Sequence, residues 1–215
     1  MKKILLLLIL FHLYAFSDEL PDLGSTSDNI INKAQEKKIR HQILSQAYLS
    51  QTIVKDPEVI HYINNLGARL LSGVPELNTY NTTFFTVKNP TINAFAMLGG
   101  IIGIHSGLVY AANSESELAS VIAHEIAHLS QKHLPRIIEA QSKDSFKTSL
   151  ALVFALLMSR SNAQIANAAM QTASASAVQN TLDFTREHEK EADREGLLIL
   201  SKAGFDERGA VSFFK

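Results

Sequence analysis

An α+β fold, mainly helical with one small antiparallel sheet, is what this 215-residue sequence predicts. Three observations carry that expectation. Apolar residues recur at helical period from near Asp28 to Leu49, from Pro57 onward, and again after Ser114. Between the second and third of these helices lie three short runs, Thr83 to Val87, Thr91 to Met97 and Ile101 to Ile104, rich in β-branched and aromatic residues. The pairs Asn89-Pro90 and Gly99-Gly100 mark turns between the runs, short enough to fold neighbours back on one another.

The chain begins with the basic Met1-Lys2-Lys3, continues through an apolar stretch from Ile4 to Phe16, and offers Ala15-Phe16-Ser17 as a cleavage site before Asp18. Residues 1–17 are therefore expected to be a cleavable signal peptide and 18–215 one domain. The apolar stretch is too short to span a bilayer comfortably, which makes an uncleaved anchor the weaker reading. About 198 residues would remain after cleavage, enough for one proper core. Losing Lys2 and Lys3 takes the formal charge from −1 to −3, and without a basic stripe this excludes nucleic acid as a partner. The absence of cysteine removes any lipobox or disulfide framework and suits an oxidising compartment. The expected location is the periplasm.

After a polar lead-in over 18–27, the first helix runs to Leu49. Asp56 caps the second, with Pro57 in its first turn. Val59, Ile63, Leu66 and Leu70 form its apolar face, and His61 points the other way. His41 sits in a basic helical stretch with no metal-binding spacing. Residues 73–82 are turn-rich, and His105, at the exit of the last strand, is expected to be structural. A final helix begins after Gly204-Phe205-Asp206 and includes Phe213.

Ser114 and Glu117 stand at the spacing of a capping box. Leu118, Val121, Ile122, Ile126 and Leu129 then form a stripe at helical period. A turn of 100° per residue places Glu125 inside that stripe. A carboxylate facing a core costs several kcal/mol unless something partners it. The partner is suggested by the local sequence His124-Glu125-Ile126-Ala127-His128. Imidazoles four positions apart share one helix face and can bind one zinc ion, while the intervening glutamate can act as general base on a water activated by the metal. A plain surface helix carrying two histidines leaves the buried Glu125 unexplained. His133 falls opposite His124 on an unbroken helix and is expected to be solvated or capping.

A catalytic zinc needs a third protein ligand and an open position. Without cysteine that ligand must be His, Asp or Glu. The run from Arg186 to Gly196 is the best source, although such runs are usually solvated helix faces. Glu189, Asp193, Gly196, Leu200 and Ala203 share one face with Ala192, and its small residues would let two helices approach closely. Glu189 would then ligate, and Asp193, one turn on, would accept a hydrogen bond from His124. Periodicity favours Glu189 only modestly over its neighbours. Glu187, Glu191 and Glu195 are expected to point into water.

At these residues the sequence resembles the HtpX-like zinc metalloendopeptidases of peptidase family M48, which pair His-Glu-x-x-His with a later Glu-x-x-x-Asp. The stretch Asn93-Ala94-Phe95-Ala96-Met97-Leu98-Gly99-Gly100 and the following Ile104-His105-Ser106-Gly107-Leu108 are similar to the block upstream of that family's zinc helix. The likeness covers roughly residues 40 to 210, and is strongest to the secreted branch of beta-barrel assembly-enhancing proteases. It implies a zincin-type metallopeptidase domain, one zinc ion held by His124, His128 and Glu189, Glu125 as catalytic base and Asp193 as the residue orienting His124. It also implies unfolded or misassembled envelope proteins as substrates and the outer-membrane assembly machinery as a partner. Leu98 departs from the proline many relatives carry there. The tetratricopeptide domain of the envelope relatives is not within residues 1–215.

Two further expectations concern substrate access. Asn93, Ala94, Phe95, Ala96 and Met97 are read as an exposed sheet edge to which an extended peptide adds as a strand, against the alternative of an ordinary core strand. The apolar run 150–158 and the Ala-, Ser-, Asn- and Gln-rich 161–180 are either a helical hairpin packed on the domain or a mobile lid with peripheral membrane contact; the run is too short to span a membrane. Two rival functions stand beside proteolysis. One is a chaperone or assembly factor holding outer-membrane proteins at the sheet edge. The other is a structural zinc domain closed by a fourth protein ligand.

Overall fold

The computed structural model describes residues 32–79, 82–140 and 175–213. The expected signal peptide and lead-in, and the insert at 150–158 with most of 161–180, lie outside them. Helix α1 (Lys33–Leu49) starts later than its periodicity suggests, because Asn32 caps it: its side chain accepts from Gln35 N while the Gln35 side chain accepts from Asn32 N. That reciprocal pair satisfies two backbone donors that a helix start otherwise leaves open. Helix α2 (Pro57–Leu71) begins as expected, with Asp56 accepting from Glu58 N and Val59 N. Its Ile63, Leu66 and Leu70 are buried, and His61 is exposed.

Strands β1 (Thr83–Val87), β2 (Ala94–Met97) and β3 (Ile101–His105) form one sheet in the order β1-β3-β2. The sheet is mixed, not wholly antiparallel as expected. β2 and β3 pair antiparallel, but β1 and β3 pair in parallel. The reason is burial. All five β3 residues are buried, so this strand takes the central slot, where both faces are covered. Residues 88–93 therefore carry the chain past that slot to the far edge before it returns. Turn residues announce a reversal but not which strand becomes the neighbour. The start of β2 also slips to Ala94, because Asn89 Oδ1 accepts from both Thr91 N and Thr91 Oγ1 and holds a local turn.

The two outer edges of the sheet differ. Residues 52–54 cover β1: Ile53 bridges Val87, Val54 N donates to Thr86 O at 2.9 Å and Lys88 N to Thr52 O at 2.6 Å. Among the described residues no strand pairs with the outer edge of β2. The β2–β3 turn uses Gly99 and Gly100 at φ 81° and 70°, a backbone region that side chains disfavour. Helix α1 clamps that turn, with Arg40 donating to the Gly99 and Gly100 carbonyls and Glu36 accepting from Gly99 N.

Helices α3 (Ser106–Ala111), α4 (Glu115–Ser130), α5 (His133–Ala140), α6 (Ala175–Lys202) and α7 (Arg208–Phe213) complete the described fold. The core joins Ile63, Leu66 and Leu70 of α2 to Ile102 and Ile104 of β3, Leu118, Ile122 and Ile126 of α4, and Ala192 and Leu200 of α6. Burying so many large aliphatic side chains, at roughly 1.5–3 kcal/mol each, is what fixes α4 between sheet and α6. The expected capping box at α4 is only half formed. Ser114 Oγ accepts from Glu117 N, but the buried Glu117 carboxylate accepts from Asn113 N and from Ser212 Oγ of α7 instead of from Ser114 N. The hydrogen bonds from Ser212 and Asn113 hold the Glu117 carboxyl below its ordinary pKa.

Candidate metal centre

Two helices build the site. On α4, His124 and His128 lie at the edge of the buried stripe, and Glu125 is only 8% exposed within it. A glycine lets α6 come so near. A Cβ on Gly196 would sit 3.0 Å from His124 Cα and 3.1 Å from His124 N, so only a residue without one permits this approach freely. Ala192, one turn earlier, is fully buried at the same contact. Glu189 and Asp193 are thereby carried to the histidine edge of α4.

The resulting distances are short. His124 Nε2 and His128 Nε2 are 3.1 Å apart. Glu189 Oε2 is 3.5 Å from His124 Nε2, and its Oε1 is 3.7 Å from His128 Nε2. A tetrahedral ion with bonds of about 2.0–2.1 Å holds its ligand atoms about 3.3–3.4 Å apart. These three side chains therefore fit one metal ion. Asp193 Oδ1 lies 3.0 Å from His124 Nδ1. A carboxylate accepts, so His124 donates from Nδ1, and Nε2, on the Glu189 side, is the nitrogen that would bind an ion. Burial drives the His124 pKa down, but the Glu189 hydrogen bond and the charges of Glu125, Glu189 and Asp193 outweigh it, and the net shift is upward. The pocket favours a positive charge.

Of the five residues read as a substrate edge, Ala94 to Met97 make up β2, and Asn93 O accepts from His105 N at 3.0 Å. β2 packs beside α4. Its side chains alternate: Ala94 and Ala96 join the main core, whereas Phe95 and Met97 pack on a second cluster with Ile53, Phe85 and Ile101. All four β2 residues are partly buried. His105 is buried and bonded to Thr91 Oγ1 at 2.7 Å, and burial lowers its pKa, as expected for a structural residue.

Two expectations fail beside the site. His133 is neither solvated nor opposite His124; it is 1% exposed, and its Nδ1 lies 2.9 Å from His128 Nδ1. The helical wheel does not reach it, because Lys132 adopts φ 52° and ends α4 before α5 begins at His133 itself. Nothing in Gln131-Lys132 signals such a break. Glu191 does not stay in water either. Its Oε2 accepts from His133 Nε2 at 3.1 Å and from Arg136 at 2.9 Å. His188 stacks on His133 with ring centroids 4.3 Å apart and planes 8° apart. Burial lowers the His133 pKa, and burial with the nearby His133 and Arg136 pushes His188 down to about 4. The signal available in the sequence was the placement of His188 and Glu191 on either side of Glu189.

Comparison with known proteins agrees with this architecture. Residues 58–215 match Peptidase family M48. The chain is 41% identical over 196 residues to a Vibrio cholerae serotype O1 protein assigned as a beta-barrel assembly-enhancing protease, covering 91% of this chain and 40% of that one. It is 35% identical over 199 residues to the beta-barrel assembly-enhancing protease of Escherichia coli strain K12, covering 93% and 41%. A more distant likeness, 33% over 129 residues, is to the mitochondrial metalloendopeptidase OMA1 of Arabidopsis thaliana, covering 60% and 24%. The chain spans about two fifths of the length of its bacterial relatives. The match over most of its length and the identity to these proteases make it a member of the metallopeptidase family M48.

Proposed function

We propose that this chain is a zinc-dependent endopeptidase of the cell envelope, acting in the periplasm on misfolded or unassembled outer-membrane proteins. The observation that carries the reading is the convergence of Glu189 on the paired imidazoles from another helix, at the spacing of tetrahedral ligands. His124, His128 and Glu189 hold the ion in this reading. A zinc ion held there would supply Lewis acidity, polarising the scissile carbonyl and acidifying a water. Glu125 takes the water proton as the oxygen bonds to the carbonyl carbon, then delivers it to the leaving amine as the C–N bond breaks. Asp193 fixes the tautomer and orientation of His124. The envelope location and the class of substrate rest on residues 1–17 and on the names of the bacterial relatives.

Digestion of casein and of a misfolded porin tests the reading. Chelation is expected to abolish cleavage, and one equivalent of zinc per chain to restore it; cleavage that survives complete zinc removal would reject it.

An edge of β2 that no described strand pairs with supports strand addition as the way an extended peptide reaches the metal, since backbone hydrogen bonds ignore side-chain identity. Ala96→Pro removes an edge donor and restricts the backbone. It is expected to cut peptide turnover at least tenfold with zinc content unchanged. Unaltered turnover would leave β2 as an ordinary core strand. The same edge favours the second reading, a holding function for unassembled outer-membrane proteins. In that case Glu125→Gln would retain biological activity.

A further inference from the structure

His133, His188 and Glu191 have the donor types of a second metal site, and their donor atoms lie close together. The geometry speaks against that use. An imidazole binds a metal through a lone pair in its ring plane, and the rings of His133 and His188 are stacked 4.3 Å apart with planes only 8° from parallel. Their lone pairs cannot converge on one ion. The Arg136 guanidinium, 2.9 Å from Glu191 Oε2, would also repel it. Both nitrogens of His133 are already engaged, Nδ1 with His128 and Nε2 with Glu191.

Those two contacts have a definite polarity once His128 is a ligand, which rests on the metal-centre reading above. Its Nε2 faces Glu189 and must carry a lone pair, so its single proton is on Nδ1. That N–H points at His133 Nδ1, which must therefore accept. The His133 proton is then on Nε2 and is donated to the Glu191 carboxylate. Arg136 holds that carboxylate from the other side. Each group has one role, and no proton is shared or missing.

We propose that His133 is a positioning residue for the metal centre: it accepts the Nδ1–H of His128 and, anchored by Glu191 and Arg136, fixes the tautomer and ring plane of that ligand. The two histidine ligands are then braced in different ways. His124 is held by a carboxylate directly, and His128 by a carboxylate acting through a neutral imidazole. Such outer partners are typically worth about 10–100-fold in metal affinity. The stack of His188 on His133 keeps the bracing ring from rotating.

Zinc affinity by competition with a fluorescent chelator, together with the nitrogen chemical shifts of the histidine rings in the zinc-loaded parent protein, tests this. In the parent, His128 is expected to carry its proton on Nδ1 and His133 on Nε2. A proton on His133 Nδ1 overturns the proposal without any variant. His133→Phe keeps an aromatic ring for the stack but accepts no hydrogen bond, and is expected to weaken zinc binding about 10–100-fold. His133→Asn, whose side-chain oxygen can replace the accepting nitrogen, is expected to recover most of the loss. A Phe variant that unfolds in urea like the parent when metal-free and binds zinc as tightly overturns the bracing role. A parent protein that binds no zinc overturns the metal centre itself, and this inference with it.

Discussion

Glu125→Gln is expected to keep one zinc per chain and to lower kcat by about 10²–10⁴-fold, the usual contribution of a positioned general base. In the barrier that is roughly 2.7–5.4 kcal/mol, at 1.36 kcal/mol per decade. Glutamine fills the same volume, so the buried stripe around position 125 stays packed. It cannot take a proton from water. The metal should remain, because the fitting ligand set of His124, His128 and Glu189 does not include Glu125. Zinc content by competition and steady-state cleavage of casein read the two halves separately. Normal turnover by the Gln variant would contradict the mechanism, and lost zinc would make Glu125 part of the metal shell.

Gly196→Val tests the helix contact that assembles the site. At an ordinary position inside a helix, replacing glycine recovers about 0.3–1 kcal/mol of propensity, depending on the residue introduced. Here a Cβ would meet the His124 backbone at 3.0 Å, and branched methyl groups would press further. Backbone cannot swing aside as a long side chain can, so α6 must move away from α4. Overpacking of this kind costs about 1–3 kcal/mol. Glu189 and Asp193 ride on the same helix, and a displacement of about 1 Å at a reacting centre can cost on the order of 10²-fold in rate. The expected result is a lower urea midpoint with weaker zinc binding and a comparable loss of cleavage. A variant that is more stable and binds zinc normally would show that the close approach does not set the ligand geometry.

The elements most legible in the sequence were those decided locally. Asp56 and Pro57 mark the start of α2 because capping and a preset φ act within one turn. The shared face of His124 and His128 follows from 3.6 residues per turn and needs no knowledge of the rest of the chain. The small residues around Ala192 and Gly196 announced a close helix pair, because only their lack of bulk matters. Failures began where a local rule had to be extended. A wheel drawn through His133 assumed α4 continued, and Lys132 at φ 52° ended it. The antiparallel pairing of all three strands assumed neighbours in sequence would be neighbours in space. The central slot went instead to the most completely buried strand.

By itself, then, the sequence determined which residues can act: a pair of imidazoles and a carboxylate on one helix, and a glutamate and aspartate one turn apart on another. Short-range helical geometry sorts residues onto faces, which pairs His124 with His128 but favours Glu189 only modestly over its neighbours. Only the tertiary structure decided that Glu189, and not Glu187 or Glu195, meets the imidazoles, that Glu191 turns to Arg136 and His133, and that His133 stands behind His128. Those choices depend on how closely and at what rotation α6 lies against α4. That rotation is settled by core packing between helices far apart in the chain, which no periodicity within either helix contains.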